Sequence, residues 1–289
     1  MRKYIPVLDS CSLSDYKDDM ILIDHFGHYL HKHSNLLFPH RHNFYHLVLF
    51  TNGGGYHSID FNRFEVKPWH MYFMSPGQVH SWNFEGGTEG YVINFSREFF
   101  QSFLLRPDFL DSFSFFRGIA RESTIELNPG IREDVLSLFE KLVLNLNSGG
   151  TISWDIIRVM LLYLFMLTDQ NGSVKEREKM HVYNYTILYN FQQLIEKHYA
   201  RLRLPKEYAD LLYITPGHLN ALCKEHLGQQ AGEVIRNRIL LESKRLLVSR
   251  DLSISEIAYE LNFNDNSYFS KFFRKLSGIT PEEFRRINM

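Results

Sequence analysis

The chain has 289 residues, 44% of them hydrophobic and 22% charged, which describes a soluble globular protein long enough for about two domains. The formal net charge of −1 argues against a strongly basic nucleic-acid binder, although residues 182–289 hold 15 Lys and Arg against 12 Asp and Glu, with 17 against 21 in the rest. Only Cys11 and Cys223 are present, which argues against a disulfide framework and suits a reducing cytoplasm.

MRKYIPVLDS lacks the apolar core of a secretory signal. The most apolar run, Ile156 to Leu167, is twelve residues long and contains Arg158, too short to span a membrane. From Phe38 to about Phe95 the sequence reads as short strands: FPHRHNFYHLVLF, a turn at Asn52 to Gly55, YHSIDF, MYFMS, Pro76-Gly77 and GYVINF. Strands at this spacing suggest a sandwich or barrel. Alternate residues of a strand share a face, so His40, His42 and His46 lie on one side, with His80 in the later phrase SPGQVHSW. His57 and His70 are expected at the surface or at strand ends.

FPHRHNFYHLVLF and SPGQVHSW resemble the cupin barrel, and also the cupin-type sensor domain attached to many AraC-family regulators. His46 stands where the cupin pattern has a carboxylate. The resemblance implies a barrel about 20–97 whose interior takes a small-molecule effector at His40, His42, Phe44, His46, Trp69, His80 and Trp82. The same four histidines, His40, His42, His46 and His80, are the only metal-ligand set in sight. No metal or other cofactor is expected, because the family usually works without metal. Most aromatics here are expected to fill core.

Helical spacing follows in Ile131 to Leu146, through Val135, Leu138, Phe139 and Leu142. It recurs in Ser153 to Leu167, through Ile156, Ile157, Met160, Leu161 and Leu164. Asn147-Ser148-Gly149-Gly150 separates them, giving an antiparallel pair about 131–168. The sensor-domain resemblance implies that such a pair joins two copies into a homodimer, which the broad apolar face of the second helix fits. Covering an open face of the barrel is the alternative. Residues 170–181, including QNGSVKEREK, are polar without helical spacing and read as the linker between a first domain, 1–169, and a second, 182–289.

The second domain contains a duplicated motif. Ser253 and Glu256 have the form of a capping box, followed by Ile254, Ile257, Ala258 and Leu261. After a turn at Asn262 to Asn264, Asp265 caps a helix with Phe269, Phe272, Phe273 and Leu276 on one face. Fifty residues earlier, Leu219, Leu222 and Cys223 repeat that face and Thr215-Pro216 opens the helix. The two units, about 205–226 and 254–276, flank a continuous helix over 231–249, roughly 28 Å long at ~1.5 Å per residue. Their opposite faces carry hydrogen-bonding and positive groups suited to a major groove.

KEYADLLYITPGHLNALCKEHLG, RNRILLESKRLL and SISEIAYELNFNDNSYFSKFFRKLSGITPEEFR resemble the DNA-binding domain of the AraC/XylS family of bacterial transcription regulators. Asn262 departs from the family's turn glycine, Cys223 from a phenylalanine and Ser243 from an alanine. The fold class expected is α+β in two domains: a cupin-like β-barrel with a helical pair, then an all-α domain with two helix-turn-helix units joined by a long helix. Base contacts are expected from Gly217, His218, Asn220 and Ala221 in the first unit and Asn266, Ser267, Ser270 and Lys271 in the second. Phosphate contacts are expected from Thr215, Lys224, Arg274 and Lys275. The expected partners are double-stranded DNA, an effector, RNA polymerase and a second copy, with no membrane. The resulting function is a non-enzymatic, ligand-responsive, cytoplasmic transcription regulator acting as an activator. A metal-dependent cupin enzyme carrying a DNA-binding module and an architectural DNA-binding protein are the alternatives.

Overall fold

The computed structural model describes residues 7–8, 20–100, 103–104, 109–147, 153–177, 182–249 and 252–288. Cys11, residues 148–150 of the expected turn and residues 178–181 of the expected linker lie outside them. Contacts divide the chain into one unit, Pro6–Lys175, and a second that takes in Glu176–Met289.

Among the described residues the first unit has ten strands: β1 (Val7–Leu8), β2 (Ile21–His25), β3 (His40–His42), β4 (Tyr45–Asn52), β5 (Gly55–Ile59), β6 (Asn62–Glu65), β7 (His70–Met74), β8 (Val79–Phe84), β9 (Glu89–Phe95) and β10 (Thr124–Glu126). They form two five-stranded sheets, β1-β3-β8-β5-β6 and β10-β7-β4-β9-β2, the sheet-rich cupin-like unit expected from the sequence, loosely barrel-like and without closure. Strand alternation decides what each face packs against. In the second sheet Leu22, Val48, Phe50, Tyr72, Met74 and Val92 cluster with Ile59 and Trp82 of the first and with Phe44 of the connection between β3 and β4. The other face, with Ile23, Leu47, Leu49, Phe73 and Ile93, is covered by α2 (Arg132–Asn147) and α3 (Trp154–Arg177) through Val135, Phe139, Leu142, Leu161 and Phe165. A further short helix, α1 (Phe26–Lys32), buries Phe26 and Tyr29 at the interior. Gly90 lets β9 approach β4 closely, since a Cβ there would stand 1.8 Å from the Leu49 carbonyl oxygen.

Helix α3 runs on through residues 170–177, which the sequence reading gave to the linker. Absence of apolar spacing therefore does not end the helix here. Along α3, Ile156, Val159, Tyr163 and Met166 are 43–55% exposed, whereas Ile157, Leu161, Leu164 and Phe165 are buried. The exposed set sits at i, i+3, i+7 and i+10, a stripe on one face.

The second unit is all helical, with α4 (Val182–His198), α5 (Pro205–Leu211), α6 (Pro216–Leu227), α7 (Ala231–Ser249), α8 (Ile254–Glu260), α9 (Asn266–Ser277) and α10 (Pro281–Asn288). Local chemistry sets its boundaries. Ser253 Oγ accepts from Glu256 N at 3.2 Å while Glu256 Oε2 accepts from Ser253 N at 2.7 Å. Asp265 Oδ1 accepts from Tyr268 N at 2.7 Å, and Thr215 Oγ1 from His218 N at 3.2 Å. Gly228 and Gly278 end α6 and α9 with φ of 67° and 85°. The two turns also share a left-handed residue, Tyr213 at φ 55° and Asn262 at φ 56°, forty-nine positions apart. Helix α7 packs against every other helix of this unit, burying Ile235, Ile239, Leu246 and Leu247.

Candidate functional site

Two groups of candidate residues emerge, one in each unit. In the second unit the faces of α6 and α9 opposite the core stand open. Gly217, His218, Ala221 and Lys224 are exposed on α6, and Asn266, Ser267, Lys271, Arg274 and Lys275 on α9. Ser270 is half-buried, with its hydroxyl 3.4 Å from Asn266 Oδ1. Thr215 faces solvent, but its hydroxyl oxygen is the cap of α6.

One base-contact residue is already engaged elsewhere. The side-chain Oδ1 of Asn220 accepts from Ala231 N at 3.1 Å and so holds the start of α7. Its side chain is half-buried and cannot present both amide atoms to an adenine edge while that bond lasts. Tyr268, which the sequence reading passed over, is 60% exposed in the first turn of α9 and occupies the position of His218 in the repeat. The fifty-residue offset was the signal that could have found it.

Within the second unit, Arg203, just ahead of α5, interlocks the two helix-turn-helix motifs. Its guanidinium donates to the Leu261 and Asn262 carbonyl oxygens, at 2.5 and 3.0 Å, at the end of α8, and lies 3.9 Å over the Phe263 ring. One side chain thus fixes the turn of the second helix-turn-helix from the first.

In the first unit, register gathers five imidazoles between the sheets. His40 pairs with His80 across β3 and β8, Ile59 with His80 across β5 and β8, and His46 with Asn94 across β4 and β9. His40, His42, His46, His57 and His80 are each at most 2% exposed. His42 Nε2 lies 3.1 Å from His80 Nε2, and His80 Nδ1 lies 3.1 Å from His57 Nε2. His46 Nδ1 is 2.5 Å from Asn94 Oδ1, and the Nδ1 atoms of His40 and His42 each stand 2.8 Å from a carbonyl oxygen, of Phe38 and Phe44 respectively.

His57 is therefore no surface residue, because it faces inward opposite Trp82. His70 is half-buried at the start of β7, at the strand end expected for it. Trp69 also differs from expectation. It has φ 64° in the turn before β7 and packs with the core on the helix side, under Arg132 at 5.3 Å, away from the imidazoles. Phe44 and Trp82 do line the interior: Phe44 stacks on His42 at 4.3 Å and Trp82 lies 4.9 Å from His80.

Burial holds all five histidines neutral, since an imidazolium would lose its hydration. His40 is pushed down to about 4 and His46 to about 3, and His42, His57 and His80 well below the usual value, with neighbouring imidazoles adding to the effect. Among the described residues no group of three or more His, Cys, Asp or Glu side chains is arranged to hold a metal ion. The imidazoles of the candidate metal set, His40, His42, His46 and His80, cluster without forming such a cage. Three buried nitrogens of the interior have no hydrogen-bond partner: His46 Nε2, His57 Nδ1 and Trp82 Nε1. Leaving such a group unpaired costs about 1–3 kcal/mol each.

A sheet-rich unit with a polar, enclosed interior, followed by a duplicated helix-turn-helix, defines a two-domain sensor and DNA-binding architecture. The comparisons agree: an AraC-like ligand binding domain matches residues 22–165 and a helix-turn-helix domain matches 208–287, together more than half of the chain. The chain belongs to the AraC family. It is 43% identical over 79 residues to the uncharacterized transcriptional regulatory protein YesN of Bacillus subtilis (strain 168), covering 27% of this chain and 22% of YesN. It is 22% identical over 259 residues to the transcriptional activator RhaS of Escherichia fergusonii, covering 86% of this chain and 88% of RhaS. The solved structure of ToxT from Vibrio cholerae aligns over 93% of this chain and 99% of ToxT, at 12% identity and a TM-score of 0.46. For three of the curated relatives the chain spans only 22–35% of their length. Among the described residues no helix is long and apolar enough to cross a membrane.

Proposed function

We propose that this chain is a ligand-responsive transcription regulator that binds specific double-stranded DNA through α6 and α9, as a homodimer, in the cytoplasm. It acts there as an activator that contacts RNA polymerase rather than as an enzyme. The observation that carries the reading is the repeat itself: two helices capped in the same way, fifty residues apart, each burying an apolar face and leaving the opposite one open. Ser267, Ser270 and Lys271 form the base-reading centre of α9, with Tyr268, Arg274 and Lys275 flanking it toward the phosphates. On α6, Gly217, His218 and Ala221 meet base edges and Lys224 a phosphate. Asn220 serves chiefly to hold α7. The activator role takes its support from RhaS, an activator by its name.

The effector enters the interior between the sheets. Its binding changes DNA occupancy only through a difference in affinity between two states of the chain. Lys271→Ala is expected to weaken binding to a specific site by about 1–3 kcal/mol, close to tenfold or more, while non-specific binding at fixed salt changes less. Titrations on specific and scrambled duplexes check this; equal losses on both would make Lys271 a phosphate contact only.

The dimer reading rests on the α3 stripe. Val159→Glu combined with Tyr163→Glu places two like charges on that face of each copy. The expected result in sedimentation is a monomer with unchanged helix content. A dimer of unaltered stability would move the interface elsewhere.

A further inference from the structure

The fifty-residue repeat lets α6 and α9 be compared position by position. Pro216 and Gly217 of α6 fall on Asn266 and Ser267 of α9, Asn220 and Ala221 on Ser270 and Lys271, and Lys224 and Glu225 on Arg274 and Lys275. Both helices are capped by a side-chain oxygen at the start and leave through a left-handed glycine, so the difference lies in the side chains they present. On α9 an amide, a hydroxyl and an ammonium stand where α6 has a proline ring, a hydrogen atom and a methyl group. Arg274 and Lys275 add positive charge where Lys224 and Glu225 cancel.

The remaining amide on α6, that of Asn220, is committed elsewhere for a reason visible in the repeat. Helix α10 begins at Pro281, fifty residues after Ala231 begins α7. Proline carries no N–H. Thr280 ahead of it caps α10, its hydroxyl accepting from Glu283 N at 3.2 Å. Ser270 therefore has no duty toward α10. Ala231 does carry an N–H, and Gln230 ahead of it is not a capping residue type, so Asn220 Oδ1 supplies the acceptor at 3.1 Å. His218 keeps one exposed hydrogen-bonding edge on α6. A single donor to purine N7 meets the same atom on adenine and guanine, so it separates purine from pyrimidine and no further.

We infer that sequence discrimination is carried by the half-site beneath α9, that the half-site beneath α6 is held through its phosphates and contour, and that Asn220 is a positioning residue fixing α6 to α7. The inference rests on the reading of α6 and α9 as groove-binding helices and adds which of them selects the sequence. Beneath α9 the chemistry asks for a guanine, whose O6 and N7 accept from the Lys271 ammonium.

The test measures binding of the full chain, at fixed salt, to a duplex selected from genomic fragments and to the set in which each base pair is replaced in turn. Lys271→Ala marks the α9 half-site as the one where a preference disappears, and the other half-site is that of α6. The costliest replacement is expected beneath α9, about tenfold or more, with none beneath α6 above about fivefold. Asn220→Asp keeps the acceptor that α7 needs and removes the amide donor that a base contact would need. It should weaken all duplexes by a common factor and leave the order of preferences unchanged. Gly217→Ser with Ala221→Lys transfers the α9 groups to α6, and a Cβ at Gly217 meets nothing within 4 Å. That variant should raise the largest cost beneath α6 to about tenfold. The inference is overturned if a replacement beneath α6 costs the wild type as much as the costliest beneath α9. It is equally overturned if Lys271→Ala leaves every preference in place, if Asn220→Asp removes a preference at one base pair only, or if the transferred groups create none. A wild type without any preferred duplex would undo the regulator reading and this inference with it, whereas preferences concentrated beneath α6 would undo only the inference.

Discussion

Lowering the pH below about 6.5 is expected to unfold the first unit well before the second. Five imidazoles there are neutral in the folded state and free to protonate once exposed, so the unfolded chain binds more protons at acid pH. Stability is full above the unfolded value of about 6.5 and falls as the pH drops toward the folded values, about 4 for His40 and about 3 for His46. Each histidine contributes a slope of about 1.4 kcal/mol per pH unit, so five together approach ~7 kcal/mol per unit, as much as a small domain's whole stability. Trp69, Trp82 and Trp154 all belong to the first unit, so tryptophan fluorescence follows it alone. The expected trace has a midpoint temperature flat from about pH 8 to 7 and collapsing between about 6.5 and 5. His46→Leu should shallow that fall. A midpoint indifferent to pH down to about 5 would mean that the imidazoles are not held neutral by burial.

Arg203→Ala is expected to uncouple the two helix-turn-helix units. Its guanidinium supplies donors to the Leu261 and Asn262 carbonyl oxygens and covers Phe263, so its removal costs about 2–4 kcal/mol through the lost charge-assisted bonds and ring contact. Lysine lacks the planar fork and should recover little. On DNA carrying both half-sites the variant should lose most of its advantage over a single half-site. Inserting base pairs between half-sites should then penalise it less than the wild type. Binding isotherms on spaced duplexes, with helix content checked by circular dichroism, decide the matter. Unchanged intolerance to spacing would assign the coupling to α7 alone.

The second unit was legible because its signals are local. Ser253 with Glu256, Asp265, Thr215-Pro216 and Gly278 act within four residues of where they stand, and the structure makes each of their bonds or turns. Asn262 takes the left-handed turn conformation that the family's glycine implied, but Tyr213 in the same role carried no such mark. The bond from Ala231 N to Asn220 Oδ1 was not legible, because that partner is eleven residues away on the next helix. In the first unit the short strands could be read, but not their partners. His57 turned inward, and Asn94 came to orient His46, only through pairings 23 and 48 residues apart. Trp69 was lost to the interior for a similar reason, a positive-φ turn that sends its ring to the helix side. Alternation allowed a sandwich or a barrel, and the pairing into two sheets depends on edges that alternation alone cannot specify.

The most direct measurement of the central claim is selection of genomic fragments by the purified full chain at fixed, near-physiological salt, beside a Ser270→Ala, Lys271→Ala double variant. The wild type is predicted to enrich a few upstream regions carrying paired half-sites, and the variant to lose them while keeping weak binding to all fragments. Equal, indiscriminate recovery by both proteins would contradict sequence-specific regulation and favour an architectural role.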